Sequence, residues 1–251
     1  MPSWAQALLE SWVRERRRSV DTTANMSISL GSMSSAPPGM LKQLAYRIKE
    51  CLDHSPGLAN AINPLVSVER TGVTDVKDGF YLAEYAGGRR IAQIYLKHIP
   101  TGHSLLSDHL LSCPGAMTLL VIADAASCGK LAAQAQRLVA TADLPAAVMT
   151  QDSVVVYSPL AHKINMAADV PEKRSPSNPF AVYEPIVFDA MAPEFRCCGG
   201  YDAKAYVARL GKKTKFAIVR ADFYVFATAK NDKQLTKCLE ILANRVGNGP
   251  I

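Results

Sequence analysis

The side chains with chemistry to offer concentrate between residues 90 and 109. His98, His103 and His109 follow one another closely, with Asp108 beside the last. Imidazoles titrate near neutral pH, so a histidine of this group is suited to take a proton from a phenol or a β-dicarbonyl and return it elsewhere. His98 and His103 flank Pro100-Thr101-Gly102, and the competing reading is a pair of solvated loop histidines. Arg90 adds a planar cationic fork that fits a carboxylate or an enolate; its alternative use is to tie its own strand to helices upstream. His98, His103 and Arg90 are therefore the candidate catalytic residues. Further upstream, Asp53-His54 closes a helix, where a histidine suits the negative end of the dipole.

Other chemistries lack their residues. The three histidines and Cys113 do not provide the close pair on one helix face or hairpin that zinc requires, so no metal site is expected. The sequence contains no G-x-S-x-G elbow, P-loop, H-E-x-x-H helix or G-x-G-x-x-G dinucleotide turn. Cys51, Cys113, Cys128, Cys197, Cys198 and Cys238 show no C-x-x-C spacing. Reduced thiols in a cytoplasmic protein are expected, although adjacent Cys197 and Cys198 leave a strained vicinal disulfide open. The net charge is +6, with its one dense cluster, Arg14 with Arg16-Arg17-Arg18, on a helix lacking interleaved aromatics. That pattern describes a solvated helix face or a subunit contact, not a nucleic-acid platform. No apolar run has the length of a bilayer span, and no secretory signal is read at the N-terminus.

The elements that must position these residues are legible from periodicity. Ser3 caps a helix carrying Leu8, Leu9, Trp12 and Val13 at helical spacing, continuing toward Met26 and Leu30 until Ser34-Ser35-Ala36-Pro37-Pro38-Gly39 breaks it. A second amphipathic helix is expected from Met40 to His54, with Leu41, Leu44, Ile48 and Leu52 along one face. Phe80–Tyr85 and Ile91–Leu96 read as strands around Gly87-Gly88, and Ser104–Leu111 as a short helix. Met117–Ala123 is continuously apolar, as a strand buried on both faces should be. There follow a helix over Ser127–Ala140, a strand over Ala146–Thr150, further strand character at Val154–Val156, and a long loop over Ser158–Pro185. A helix over Asp202–Leu210, strands over Lys215–Arg220 and Phe223–Ala227, and a helix over Lys230–Val246 complete the chain. From Met117 onward the order is β-α-β, a connection, then α-β-β-α, which is the thioredoxin-fold order. The aromatic residues Tyr81, Tyr85, Tyr95, Phe223, Tyr224 and Phe226 alternate on these strands as core and edge packing.

Four segments resemble FAD-dependent aromatic hydroxylases of the phenol hydroxylase type. Leu8-Leu9-Glu10-Ser11-Trp12-Val13-Arg14-Glu15-Arg16-Arg17-Arg18-Ser19-Val20 is similar to their "LLDTYExERRPV" helix. Gly88 to Leu96 resembles their "GxRAPHxxL" strand, with Gln93 in place of the histidine. Ser104-Leu105-Leu106-Ser107-Asp108 followed by Met117 to Val121 resembles "SLLDLLG…FTLLVF". Phe216 to Asp222 resembles "ALVRPDGHVAW", with Ala221 where that family has proline. The resemblance implies an α/β chain with a helical extension over 1–65 and a thioredoxin-like domain over 66–251, preceded by a small β element and with its long loop at 158–185. It also implies that the flavin-binding portion is missing, so no cofactor is expected.

Two functions are compatible with that reading. One is a cofactor-independent isomerase or cyclase of secondary metabolism, acting on an aromatic or polyketide-derived small molecule in an apolar cleft between the N-terminal helices and the sheet. The other is a non-catalytic accessory subunit that partners a flavin monooxygenase. A homodimer is expected in either case, and neither nucleic acid nor membrane is an expected partner.

Overall fold

The computed structural model describes residues 3–35, 39, 43, 47, 72–74, 76, 79–111, 115–124, 127–159, 182–186 and 203–247. In chain order its elements are α1 (Ser3–Ser35), β1 (Tyr95–His98), β2 (Ser104–Leu106), β3 (Met117–Ile122), α2 (Cys128–Thr141), β4 (Val154–Tyr157) and β5 (Val182–Pro185). They continue with α3 (Ala205–Leu210), β6 (Phe216–Arg220), β7 (Val225–Ala229) and α4 (Asp232–Gly247). The chain is α/β, with one seven-stranded mixed sheet in the order β2-β1-β5-β4-β3-β6-β7.

β3 lies inside the sheet between β4 and β6, and every one of its side chains is buried, which only a strand covered on both faces tolerates. It pairs in parallel with β4 and antiparallel with β6, and β6 turns back antiparallel into β7. Successive residues point to opposite faces. Leu119 and Val121 join Phe216, Ile218, Ala132, Ala135, Leu239 and Leu242 in the layer beneath α2 and α4. Leu120 and Ile122 join Ala217, Val219, Ile94, Leu96, Tyr206 and Leu210 on the other face. Beyond β4, β5 runs parallel to it, and the β1–β2 hairpin pairs antiparallel onto β5. The starts of α2 and α4 are capped locally. Asp124 Oδ1 accepts the Ser127 backbone N–H at 2.8 Å ahead of α2, and Asn231 Oδ1 accepts the Gln234 N–H at 3.0 Å ahead of α4.

Several expected elements shift. Phe80, Tyr81 and Leu82 are all buried, but they bend and form no strand ladder. The Leu82 N–H bonds to the Phe226 carbonyl at 2.8 Å, and the chain then turns through a 3-10 segment, Ala83–Tyr85. Gly87 follows where the backbone presses on β7: a Cβ there would meet the Phe226 carbonyl oxygen at 2.2 Å. Residues 91–94 are extended without a strand ladder, and the regular strand is Tyr95–His98. Ser104–Leu111 divides into β2 and a 3-10 turn, Ser107–Leu111, because the buried Ser107 hydroxyl accepts the Ile94 N–H and fixes the hairpin register. Residues 146–150 form a turn after Pro145 and not a strand; the carbonyls of Ala147 and Val148 accept N–H groups from Ala116 and Met117 without a regular ladder. Val182–Pro185 of the expected loop is β5, and its residues 160–181 lie outside the described residues. The expected Met40–His54 helix also lies outside them, apart from Gln43 and Arg47, both helical. So do Cys197 and Cys198. No helix of the described residues is long and apolar enough to cross a membrane.

Candidate functional site: a cleft between the first helix and the sheet end

α1 reaches the sheet through one buried carboxylate. Glu15 and Ser11 are its buried described side chains, on neighbouring turns of one face. Glu15 Oε1 accepts the Phe80 backbone N–H at 2.9 Å and a hydrogen bond from Arg220 Nη1 at 2.9 Å, while Oε2 lies 2.7 Å from Arg220 Nη2. Arg220 is the last residue of β6. Its Nε and Nη2 donate to Asp222 at 3.0 and 2.6 Å, and its Nη1 also donates to the Phe80 carbonyl at 3.2 Å. Burial alone would lower the pKa of Arg220, but hydrogen bonds and charge from Glu15 and Asp222 overcome it and raise the pKa. The guanidinium fork therefore stays charged and rigid, and both carboxylates are held by it.

The β6–β7 turn presents this network. Arg220 donates its backbone N–H to Tyr224 O at 2.8 Å, closing a three-residue loop of Ala221, Asp222 and Phe223. Phe223 adopts φ 72°, a left-handed conformation that costs a bulky side chain on the order of 1 kcal/mol. Its ring lies 5.9 Å from the Arg90 guanidinium. Tyr224 has Arg220 at 5.7 Å and Arg16 of α1 at 5.5 Å from its ring centre, and Arg16 also lies 5.8 Å from the Trp12 ring. The Arg16 Nε is buried without a hydrogen-bond acceptor among the described residues.

Beside this cluster opens a cleft of about 230 Å³, lined by Leu9 and Trp12 of α1 and by Ala116, Arg220, Ala221 and Asp222 of the sheet end. Its walls are almost wholly apolar; the polar groups are Arg220, which is buried, and Asp222, whose side chain is 21% exposed. One indole wall, small alanine surfaces and a carboxylate at the margin make a slot for a flat apolar molecule with a proton to donate. A second, more polar depression is lined by Thr74, Ala83, Ala86, Gly87, Arg89, Ala208 and Arg209.

The residues expected from sequence to be catalytic occupy two different flanks of the sheet. His98 ends β1 and His103 precedes β2, so they face each other across the hairpin, where the His98 N–H bonds to the His103 carbonyl at 2.8 Å. His98 Nδ1 lies 2.7 Å from the Thr101 hydroxyl, and its ring packs 5.0 Å from that of Tyr183. Arg90 lies beyond the opposite edge, bridged to Tyr224 next to β7. No hydrogen bond or ion pair joins Arg90 to either histidine among the described residues, and the cleft is lined by none of the three. Asp108 accepts a hydrogen bond from Gln93. Glu15, Arg220 and Asp222 were not singled out by type or spacing, and Trp12 was read only as an apolar position of α1. The signal available was indirect: all four stand in two of the four segments that carry the family resemblance.

One other buried group is notable. The Tyr206 ring stacks 5.0 Å from Tyr157 beneath the sheet, and its hydroxyl has no hydrogen-bond partner among the described residues. Burial, assisted by Tyr157 and Asp108, raises its phenol far above the ordinary value, so it remains neutral. No group of three or more metal-binding side chains occurs among the described residues.

No protein-family model matches this chain, and no curated protein matches it. Among solved structures, the chain is similar to a crystal structure of a "putative electron transfer protein" from Aquifex aeolicus VF5. The two are 7% identical with a TM-score of 0.30, over 61% of this chain and 92% of that one. A likeness this slight carries no argument about either fold or activity.

Proposed function

We propose that this chain is a thioredoxin-like, flavin-free relative of the aromatic hydroxylases that acts as a cofactor-independent isomerase or cyclase on an aromatic or polyketide-derived small molecule. The fold half of the reading is supported by the strand order β4-β3-β6-β7, parallel then antiparallel twice, with α2, α3 and α4 in the matching chain positions. The functional half is supported by one observation, the cleft between α1 and the sheet end. Its volume of about 230 Å³ suits one or two fused rings, given that a dry 150 Å³ cavity accepts benzene.

Trp12 supplies a stacking face, and Leu9, Ala116 and Ala221 add apolar contact around the ring. Asp222 is the group that moves a proton. It takes one from an enolisable carbon or phenolic hydroxyl held against Trp12 and returns it at a second atom, which isomerises the ligand without any net change of oxidation state. Arg220 is a positioning residue: its fork fixes both Asp222 oxygens. The test is deuterium uptake. An aromatic β-dicarbonyl such as benzoylacetone, incubated in D2O with the protein, should exchange its acidic C–H faster than with buffer alone, and Asp222→Asn should abolish the acceleration. Exchange at the buffer rate with the wild-type protein would end the proposal.

A further inference from the structure

All the large hydrophobic side chains that are well exposed among the described residues lie on one element: Leu9, Trp12, Val13, Val20 and Ile28, at 42–66% exposure, all belong to α1. At 100° per residue, Leu9, Val13, Val20, Ala24 and Ile28 share a stripe roughly 100° wide, turned away from the buried Glu15. Every described side chain of α1 from Val20 to Ser35 is exposed. That half is rich in Ser, Thr, Asn and Gly, poor helix formers that do not sustain an isolated helix in water.

The stripe is complementary to itself when reversed. About a point between residues 18 and 19, antiparallel superposition sets Leu9 opposite Ile28, Val13 opposite Ala24, and Val20 opposite Arg17, whose carbon stem can lie along it. The basic run Arg14 to Arg18 then faces residues 19–23, which carry Asp21 and no cation. A parallel pairing would stack the two arginine runs on each other, which like-charge repulsion opposes. We propose that α1 pairs antiparallel with α1 of a second copy of this chain, about a two-fold axis at residues 18 and 19. Such an isologous contact needs each residue pair twice, and the register supplies it. Leu9 is also a wall of the cleft, so Ile28 of the second copy covers the cleft's outer rim.

Sedimentation equilibrium of the full chain, with no ligand present, tests the pairing separately from the chemistry of the cleft. The wild-type chain should be a dimer at micromolar concentration, and Val13→Glu and Ile28→Glu should each be monomeric while keeping a cooperative thermal transition. A second arm fixes register and does not depend on those variants folding. Leu9→Cys mixed with Ile28→Cys should give an oxidised link between the two substituted α1 peptides by mass spectrometry. Leu9→Cys alone should give no link to itself, because those positions lie roughly 28 Å apart in the antiparallel pair. A monomeric wild type, a dimer indifferent to both glutamates, or a like-with-like link at position 9 would overturn the proposal.

Discussion

Arg220 and Glu15, 205 positions apart in sequence, meet as a buried two-pronged ion pair at 2.9 and 2.7 Å, with side-chain exposures of 3% and 2%. This contact ties α1 to the end of β6. Buried pairs of this kind contribute modestly against apolar replacements but are costly to break from one side, since the abandoned charge stays in a dry environment. Arg220→Met should therefore destabilise the chain by about 3–5 kcal/mol in urea unfolding. Adding Glu15→Leu should recover a large share of that loss. A purely additive double mutant would mean the two groups do not act on each other.

Cys238 on α4 is fully buried, and burial, assisted by Glu84, pushes its thiol from 9.0 up to about 12. The folded chain thus holds this proton more tightly than the unfolded chain. The associated stability is complete below pH 9 and is lost progressively as pH rises from 9 toward about 12. Native protein at pH 8 should leave Cys238 unmodified by iodoacetamide, and Cys238→Ala should flatten the alkaline limb of a stability–pH profile measured by thermal unfolding.

Gly87 lies so close to β7 that a Cβ would sit 2.2 Å from the Phe226 carbonyl oxygen and 2.8 Å from the Leu82 nitrogen. Both neighbours are backbone and cannot swing aside. Gly87→Ala should cost at least about 2 kcal/mol by chemical denaturation, whereas Gly102→Ala, in open space at φ 74°, should pay only the conformational strain of its left-handed turn.

The buried centre of the sheet was legible because its physics is local. Six consecutive apolar or buried residues at Met117–Ile122 admit few other readings, and α2 and α4 declare themselves by helical spacing, whereas their caps Asp124 and Asn231 emerge only in the structure. Phe80 to Leu82 misled for the opposite reason. Aromatic side chains raise strand propensity, yet here Phe80 and Tyr81, with Leu82, are buried without a strand ladder, a tertiary outcome that propensity does not encode. The candidate site was the least legible part. His98, His103 and Arg90 are close in sequence, but the strand order sends them to different flanks, whereas Trp12 and Asp222 share a cleft that only tertiary docking of α1 creates.

The most direct test of the account is whether the Trp12 cleft binds a flat aromatic. Thermal unfolding with 1-naphthol at about one hundred times its dissociation constant should show roughly 2.7 kcal/mol of stabilisation, some 5–10 °C for a chain of this size. Arg90→Ala should keep that shift, and Trp12→Ala, which removes one wall of the cleft, should lose it. No shift in the wild-type chain, or an equal shift in Trp12→Ala, would contradict the assignment of the cleft as the ligand site.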